Sequence, residues 1–166
     1  MDITPQFILH AIIIGTGATI VLDIWAIFLK LAFDLAPSNY GLFGRWLGHF
    51  SRGQFVHNNI AQAAPFPHEK ILGWASHYAI GIIFAALLLI LCGPDWMNRP
   101  TLLPALLFGI ATVVAPFFIM QPGMGLGIAA SKTPNPAVAR LRSLAAHTVF
   151  GAGLYASALL ITELSP

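Results

Sequence analysis

Long apolar stretches alternate with short polar ones along this chain, and four of them approach the length a helix needs to cross a hydrocarbon core, about 20 residues for about 30 Å. They run from Phe7 to Leu29, Ile71 to Leu91, Leu102 to Met120 and Leu141 to Ile161. The pattern predicts an all-α, four-helix transmembrane bundle, with residues 1–166 forming one integral membrane domain. The first stretch carries no basic leader, has Asp2 near its start and exceeds the apolar core of a secretory signal, so it reads as a retained helix.

Local breakers agree with these spans. Pro136 after Asn135 reads as a cap followed by a first-turn proline, and Pro100 after Arg99 reads the same way for the third helix. The run Cys92-Gly93-Pro94-Asp95 is expected to close the second helix. Four crossings place residues 30–70 and 121–142 on one side, with Lys30, Arg45, Arg52, Lys70, Lys132, Arg140 and Arg142. The other side holds Arg99 alone among the cations. By the positive-inside rule both termini should be periplasmic, in a bacterial inner membrane.

Between the first two spans, Tyr40 to Phe50 reads YGLFGRWLGHF, and Leu42, Phe43, Trp46, Leu47 and Phe50 form an apolar face. This segment is expected to be a short amphipathic helix lying in the interface. The stretch after it, with His57, Asn58, Asn59, Pro65 and Pro67, reads as irregular.

Two short words recur. Ser76-His77-Tyr78-Ala79-Ile80-Gly81 matches Ala146-His147-Thr148-Val149-Phe150-Gly151, and Ala18-Thr19-Ile20-Val21 matches Ala111-Thr112-Val113-Val114. The chain therefore reads as two tandem helical hairpins related by a pseudo-twofold axis along the membrane normal. Helical spacing aligns Gly73, His77 and Gly81 on one stripe, and Ser143, His147 and Gly151 on its counterpart. Gly15, Thr19 and Asp23 follow the same period in the first helix.

Composition sharpens the picture. Charged residues are 8% of the chain against roughly a quarter in soluble domains, and hydrophobic residues are 57%. A net charge of +2 spread over so few groups offers no basic stripe, so no nucleic-acid partner is expected; the lipid bilayer is. Cys92, the single cysteine, excludes an internal disulfide and any cysteine-rich cluster.

The costly residue is Asp23. An Asp at a helix centre opposes insertion by about 2.5 to 3.5 kcal/mol, whereas the thirteen Leu, Ile, Val and Phe residues between Phe7 and Leu29 return roughly 4 to 8 kcal/mol. The helix still inserts, and the carboxylate should face the bundle with His77 and His147 as its candidate partners. Three readings of this cluster stay open. The polar groups fix only the packing; or they hold a cofactor; or Asp23 and a histidine carry a proton or solute. The cofactor would be a transition metal on Asp23, His77 and His147 with Met120 and Met124 as soft ligands, or a haem between the two histidines. Thr19 and Gln121 join Asp23, His77 and His147 in the candidate ligand-binding set, and no catalytic residue is assigned.

Weaker signals add little. Gly123-Met124-Gly125-Leu126-Gly127 lacks the strand and the Gly-Lys-Ser/Thr of a phosphate loop, and Gln121 to Pro136 reads as a flexible or re-entrant connection. Arg45, Lys132, Arg140 and Arg142 are expected at lipid headgroups. His10, His49, His57 and His68 follow no ligand spacing and read as interfacial or loop residues, and no serine sits in a nucleophile motif.

Several longer words resemble one family. They are Gly44-Arg45-Trp46-Leu47-Gly48-His49, Arg99-Pro100-Thr101-Leu102-Leu103-Pro104-Ala105, Ala115-Pro116-Phe117, Met120-Gln121-Pro122-Gly123-Met124-Gly125 and Ser131-Lys132-Thr133-Pro134-Asn135-Pro136. They resemble a bacterial family of small multi-pass membrane proteins known as domain-of-unknown-function family twenty-nine thirty-eight. The resemblance spans nearly the whole chain and implies an inner-membrane protein, with no activity or cofactor to carry over. The leading expectation is a small inner-membrane binding or transport protein handling an ion, proton or small ligand. A non-catalytic structural or assembly subunit and a haem- or metal-binding redox protein are the alternatives. A homodimer or a larger membrane complex is the expected assembly.

Overall fold

The computed structural model describes residues 4–164, so Asp2 lies outside the described residues. Every regular element among them is helical: α1 (Pro5–Phe33), α2 (Tyr40–His49), α3 (Glu69–Asn98), α4 (Leu102–Ala111), α5 (Gln121–Gly123) and α6 (Pro136–Leu164), with short tight or wide turns between. Four helical spans are long and apolar enough to cross a membrane: Pro5–Phe33, Glu69–Asn98, Leu102–Gly123 and Pro136–Leu164. Each contains the stretch expected from hydropathy and most extend it by a turn, because capping rather than apolarity sets the ends. Thr4 accepts a hydrogen bond from the Phe7 N–H and Pro5 starts α1, two features of a helix start that a hydropathy boundary does not register. Asn135 caps α6 through the Val138 N–H at 3.3 Å, with Pro136 as its first residue, as the sequence indicates.

Two boundaries differ from expectation. The residue in the cap position of α4 is Thr101, not Arg99, so Pro100 stands outside the helix and Pro104 lies in its first turn. Helical structure also resumes after Gly93. That residue adopts φ 76° and ψ −179°, a conformation reserved for glycine, and the helix breaks there before Pro94 restarts it as far as Asn98.

The chain forms two compact units. The first comprises the described parts of Met1–Pro37, Tyr78–Thr112 and Ala145–Pro166. Its core holds Ile14, Ala18, Ala85, Leu88, Leu89, Ala105, Phe150 and Leu154, with the Phe84 ring edge-on to Phe108 and Phe150. Helices meet here through small residues, the usual basis of contact where lipid removes the hydrophobic drive between helices. A Cβ on Gly15 would fall 2.7 Å from the Gly81 carbonyl, and one on Gly109 would fall 2.6 Å from the Gly151 nitrogen. The outward faces are apolar: Ile8, Ile12, Ile20, Ile24 and Ile27 of α1 are all exposed, a surface suited to lipid and unsuited to water.

The second unit comprises Ser38–His77 and Val113–Leu144. Helix α2, capped by Asn39 through the Gly41 and Leu42 N–H groups, lies against the start of α3 where Gly44 and Gly73 leave no room for side chains. Trp46, Ile60 and Met124 form the buried core, with Leu42, Phe43, Leu47, Phe50 and Met120 around it. Between α4 and α5 the backbone widens into a π turn over Pro116–Met120, where the Pro116 carbonyl accepts from the Gln121 N–H, five residues on.

Candidate functional site

In the first unit, Asp23 accepts a hydrogen bond from the Tyr78 hydroxyl at 2.9 Å. His147 contacts Thr112 at 2.7 Å through Nδ1. The Thr112 hydroxyl has one proton, which goes to the Gly109 carbonyl at 2.5 Å, so His147 must donate from Nδ1 and carries its lone pair on Nε2. Thr19 is buried and donates back to the Gly15 carbonyl at 2.7 Å, one turn earlier in its own helix. Asp23, His147 and Thr19 therefore each meet a partner within this unit.

His77 belongs to the second unit, where its Nε2 meets the Tyr40 hydroxyl at 3.0 Å and its ring stacks on Tyr40 with centroids 4.2 Å apart. The sequence offers a pointer to both tyrosines, since Tyr78 adjoins His77 and Tyr40 opens the aromatic segment. Helical stripes alone select the histidines instead. Among the described residues, no group of three or more His, Cys, Asp or Glu side chains is placed to hold a metal ion. Met124 and Met120 pack with Trp46 and Ile60 as apolar filling.

Two cations of the second unit, Arg45 and Arg140, are engaged with protein atoms. Arg45 grips Glu69 through Nε and Nη2, both at 2.8 Å, and its Nη1 donates to the carbonyls of Ile60, Ala61 and Ala63. This hydrogen bonding to Glu69 raises the Arg45 pKa above its already high ordinary value. Arg140 donates to the Ala129 carbonyl at 2.8 Å, and Lys132 lines a cavity of about 380 Å³ together with His57, Asn58 and Ser131.

Two features stand out in this unit. Gln121 is 6% exposed, at the end of the π turn. Its Nε2 reaches Ser143 Oγ at 3.4 Å, while its buried Oε1 has no partner. Turning the amide over exchanges the two ends without satisfying both. The second is a pair of histidines expected at an interface or in a loop: His49 and His57 are 2% and 6% exposed, and His49 Nδ1 lies 2.7 Å from His57 Nε2. Trp46 Nε1 donates to the Phe55 carbonyl, and His57 N–H donates to the Gly123 carbonyl at 2.8 Å, which folds the irregular segment back over α2.

Four apolar crossings, exposed apolar faces and helix contacts built on glycine define a multi-pass α-helical membrane protein. A family model described as protein of unknown function (DUF2938) matches residues 12–161, and the chain belongs to that family. No match was found among the curated proteins or the solved structures.

Proposed function

We propose that this is a bacterial inner-membrane protein that binds or transports a small polar ligand, ion or proton, with both termini periplasmic. The observation that carries the reading is the buried, unpartnered Oε1 of Gln121. An unmet buried polar atom costs about 1 to 3 kcal/mol, a cost that a donor-bearing ligand or a cation bound there removes. The neighbouring π turn supports it, since such turns frequently accompany functional sites in helices.

The finer architecture belongs to the same proposal: two tandem hairpins, an interfacial α2, a single membrane domain and a homodimer or larger assembly. The glycine contacts at Gly15 with Gly81 and at Gly109 with Gly151 support the hairpin repeat. A structural or assembly role is the second reading, and one observation favours it: Asp23, His77 and His147 each contact a hydroxyl, a common way to fix helix packing.

The test is thermal unfolding of the purified full chain in detergent against a panel of amines, polyols, amides, Na⁺ and K⁺. At least one member should raise the midpoint of the wild-type protein and leave Gln121→Leu unmoved. A panel that shifts neither protein, or shifts both equally, defeats the proposal.

A further inference from the structure

Two loops of the second unit enclose an open cavity of about 380 Å³, one contributing Val56, His57 and Asn58, the other running from Pro122 to Lys132. Backbone bonds fix its walls. The His57 and Ile60 N–H groups donate to the Gly123 and Met124 carbonyls, and the Lys132 N–H closes the second loop on the Leu126 carbonyl. Gly125 and Gly127, at φ 90° and 75°, shape that loop. A Cβ on Gly125 would strike the Asn58 carbonyl and one on Gly127 the Ser131 hydroxyl, so both glycines are needed to bring Asn58 and Ser131 to the rim.

Three side chains border the cavity with donors to spare. The Asn58 amide, the Ser131 hydroxyl and the Lys132 ammonium are exposed and make no hydrogen bond to another described residue. His57 supplies only the inner wall, because its ring nitrogens face His49 and the Gly123 carbonyl. Among the described residues no carboxylate lines the cavity. The unit as a whole holds six Lys and Arg residues against one acid, Glu69, which Arg45 already engages. Arg140 adds its charge to the same loop through its bond to the Ala129 carbonyl. Such an excess makes the opening attractive to anions.

We propose that this cavity seats the phosphate of one anionic phospholipid, with Lys132 as its counter-ion and Asn58 and Ser131 as hydrogen-bond donors. Val56 and Ile128, 70% and 58% exposed, form apolar edges that lie against the glycerol and the first acyl carbons. A free phosphate ester satisfies the donors and leaves these two side chains facing water, whereas a lipid covers them as well. The loop also runs between the end of one crossing at Gly123 and the start of the next at Pro136, the depth of headgroups. The seat takes one molecule, unlike the loose contact of an exposed cation with a charged surface. It requires no ligand at Gln121 and stands or falls separately from it.

Native mass spectrometry of the full chain in detergent, titrated with phosphatidylglycerol or phosphatidylcholine, reads the seat. One phosphatidylglycerol should bind at least about fivefold more tightly than phosphatidylcholine. Lys132→Gln should weaken it about fivefold and Asn58→Ala by a smaller factor. Lys70→Gln, which removes an equal charge at an exposed position outside the cavity, should leave it unchanged. Thermal unfolding gives a second reading, in which phosphatidylglycerol should raise the midpoint of the wild-type protein more than that of Lys132→Gln. Equal binding of the two lipids, or equal losses in Lys132→Gln and Lys70→Gln, overturns the proposal. So does inorganic phosphate or glycerol phosphate binding as tightly as the lipid, since the apolar edges would then contribute nothing.

Discussion

Arg45 and Glu69 are joined by two parallel hydrogen bonds of 2.8 Å, with side-chain exposures of 13% and 20%. The fork also leaves Nη1 free to gather the Ile60, Ala61 and Ala63 carbonyls, so one side chain fixes the irregular segment against α2 and the start of α3. Lysine keeps the charge and loses the fork. Arg45→Lys should lower stability by about 2 kcal/mol, read as a reduced unfolding midpoint, and Glu69→Gln by a similar amount. A midpoint within error of wild type in both variants would show the pair to be ornamental.

Close helix approach at Gly15 and Gly81 leads to a second expectation. A Cβ on Gly81 would meet the Thr19 hydroxyl, itself bound to the Gly15 carbonyl. Gly15→Val, which places a branched side chain against the Gly81 and Ile82 backbone, should cost about 1 to 3 kcal/mol, and Gly81→Ala should cost less because the atom it meets first belongs to the Thr19 side chain and not to backbone. Denaturation of the two variants side by side checks the order.

Asp23 lets insertion and packing be separated. Replacing it by leucine removes about 2.5 to 3.5 kcal/mol of insertion cost and adds about 0.3 to 0.6 kcal/mol of gain. Asp23→Leu should therefore raise membrane integration of the isolated first span in a translocation assay. In the complete protein it removes the acceptor of the Tyr78 hydroxyl, so folded stability should not rise in proportion.

Gly93 and Gly53 both have empty space where a Cβ would stand, yet their backbones differ. Gly53 lies at φ 70° and ψ 14°, a left-handed conformation that asparagine tolerates, whereas Gly93 lies at φ 76° and ψ −179°. Gly53→Asn should cost a few tenths of a kcal/mol and Gly93→Ala about 1 to 3 kcal/mol. Equal costs would mean that the break before Pro94 carries no strain.

Orientation is tested by reporters. Alkaline phosphatase fused after Leu164 or inserted near Asp95 should be active, and a fusion within residues 54–59 should not be. The reverse pattern would invert the assignment of sides.

The four spans were legible because bilayer thickness constrains length, a property that hydropathy reads directly. Partners were less legible. Stripe logic names no tyrosine for Asp23, and its carboxylate accepts from Tyr78, the immediate neighbour of His77, since a tyrosine hydroxyl reaches well beyond its own backbone position. Thr112, which the sequence shows only as part of the recurring Ala-Thr word, fixes the tautomer of His147. The His49 and His57 pair left no trace, because α2 ends at His49 and the rings meet through the chain reversal at Gly53, which residue spacing does not encode.

The π turn at Pro116–Met120 works as a rotary offset in the third crossing. It accommodates a surplus residue, and each residue of an α-helix turns its successors by about 100°. Deleting Ile119 would restore a regular screw while keeping Leu102–Ala111 and its Gly109 seat unchanged. Gln121 would then swing about a quarter-turn away from Ser143, which makes the aim of that amide a property of one inserted position.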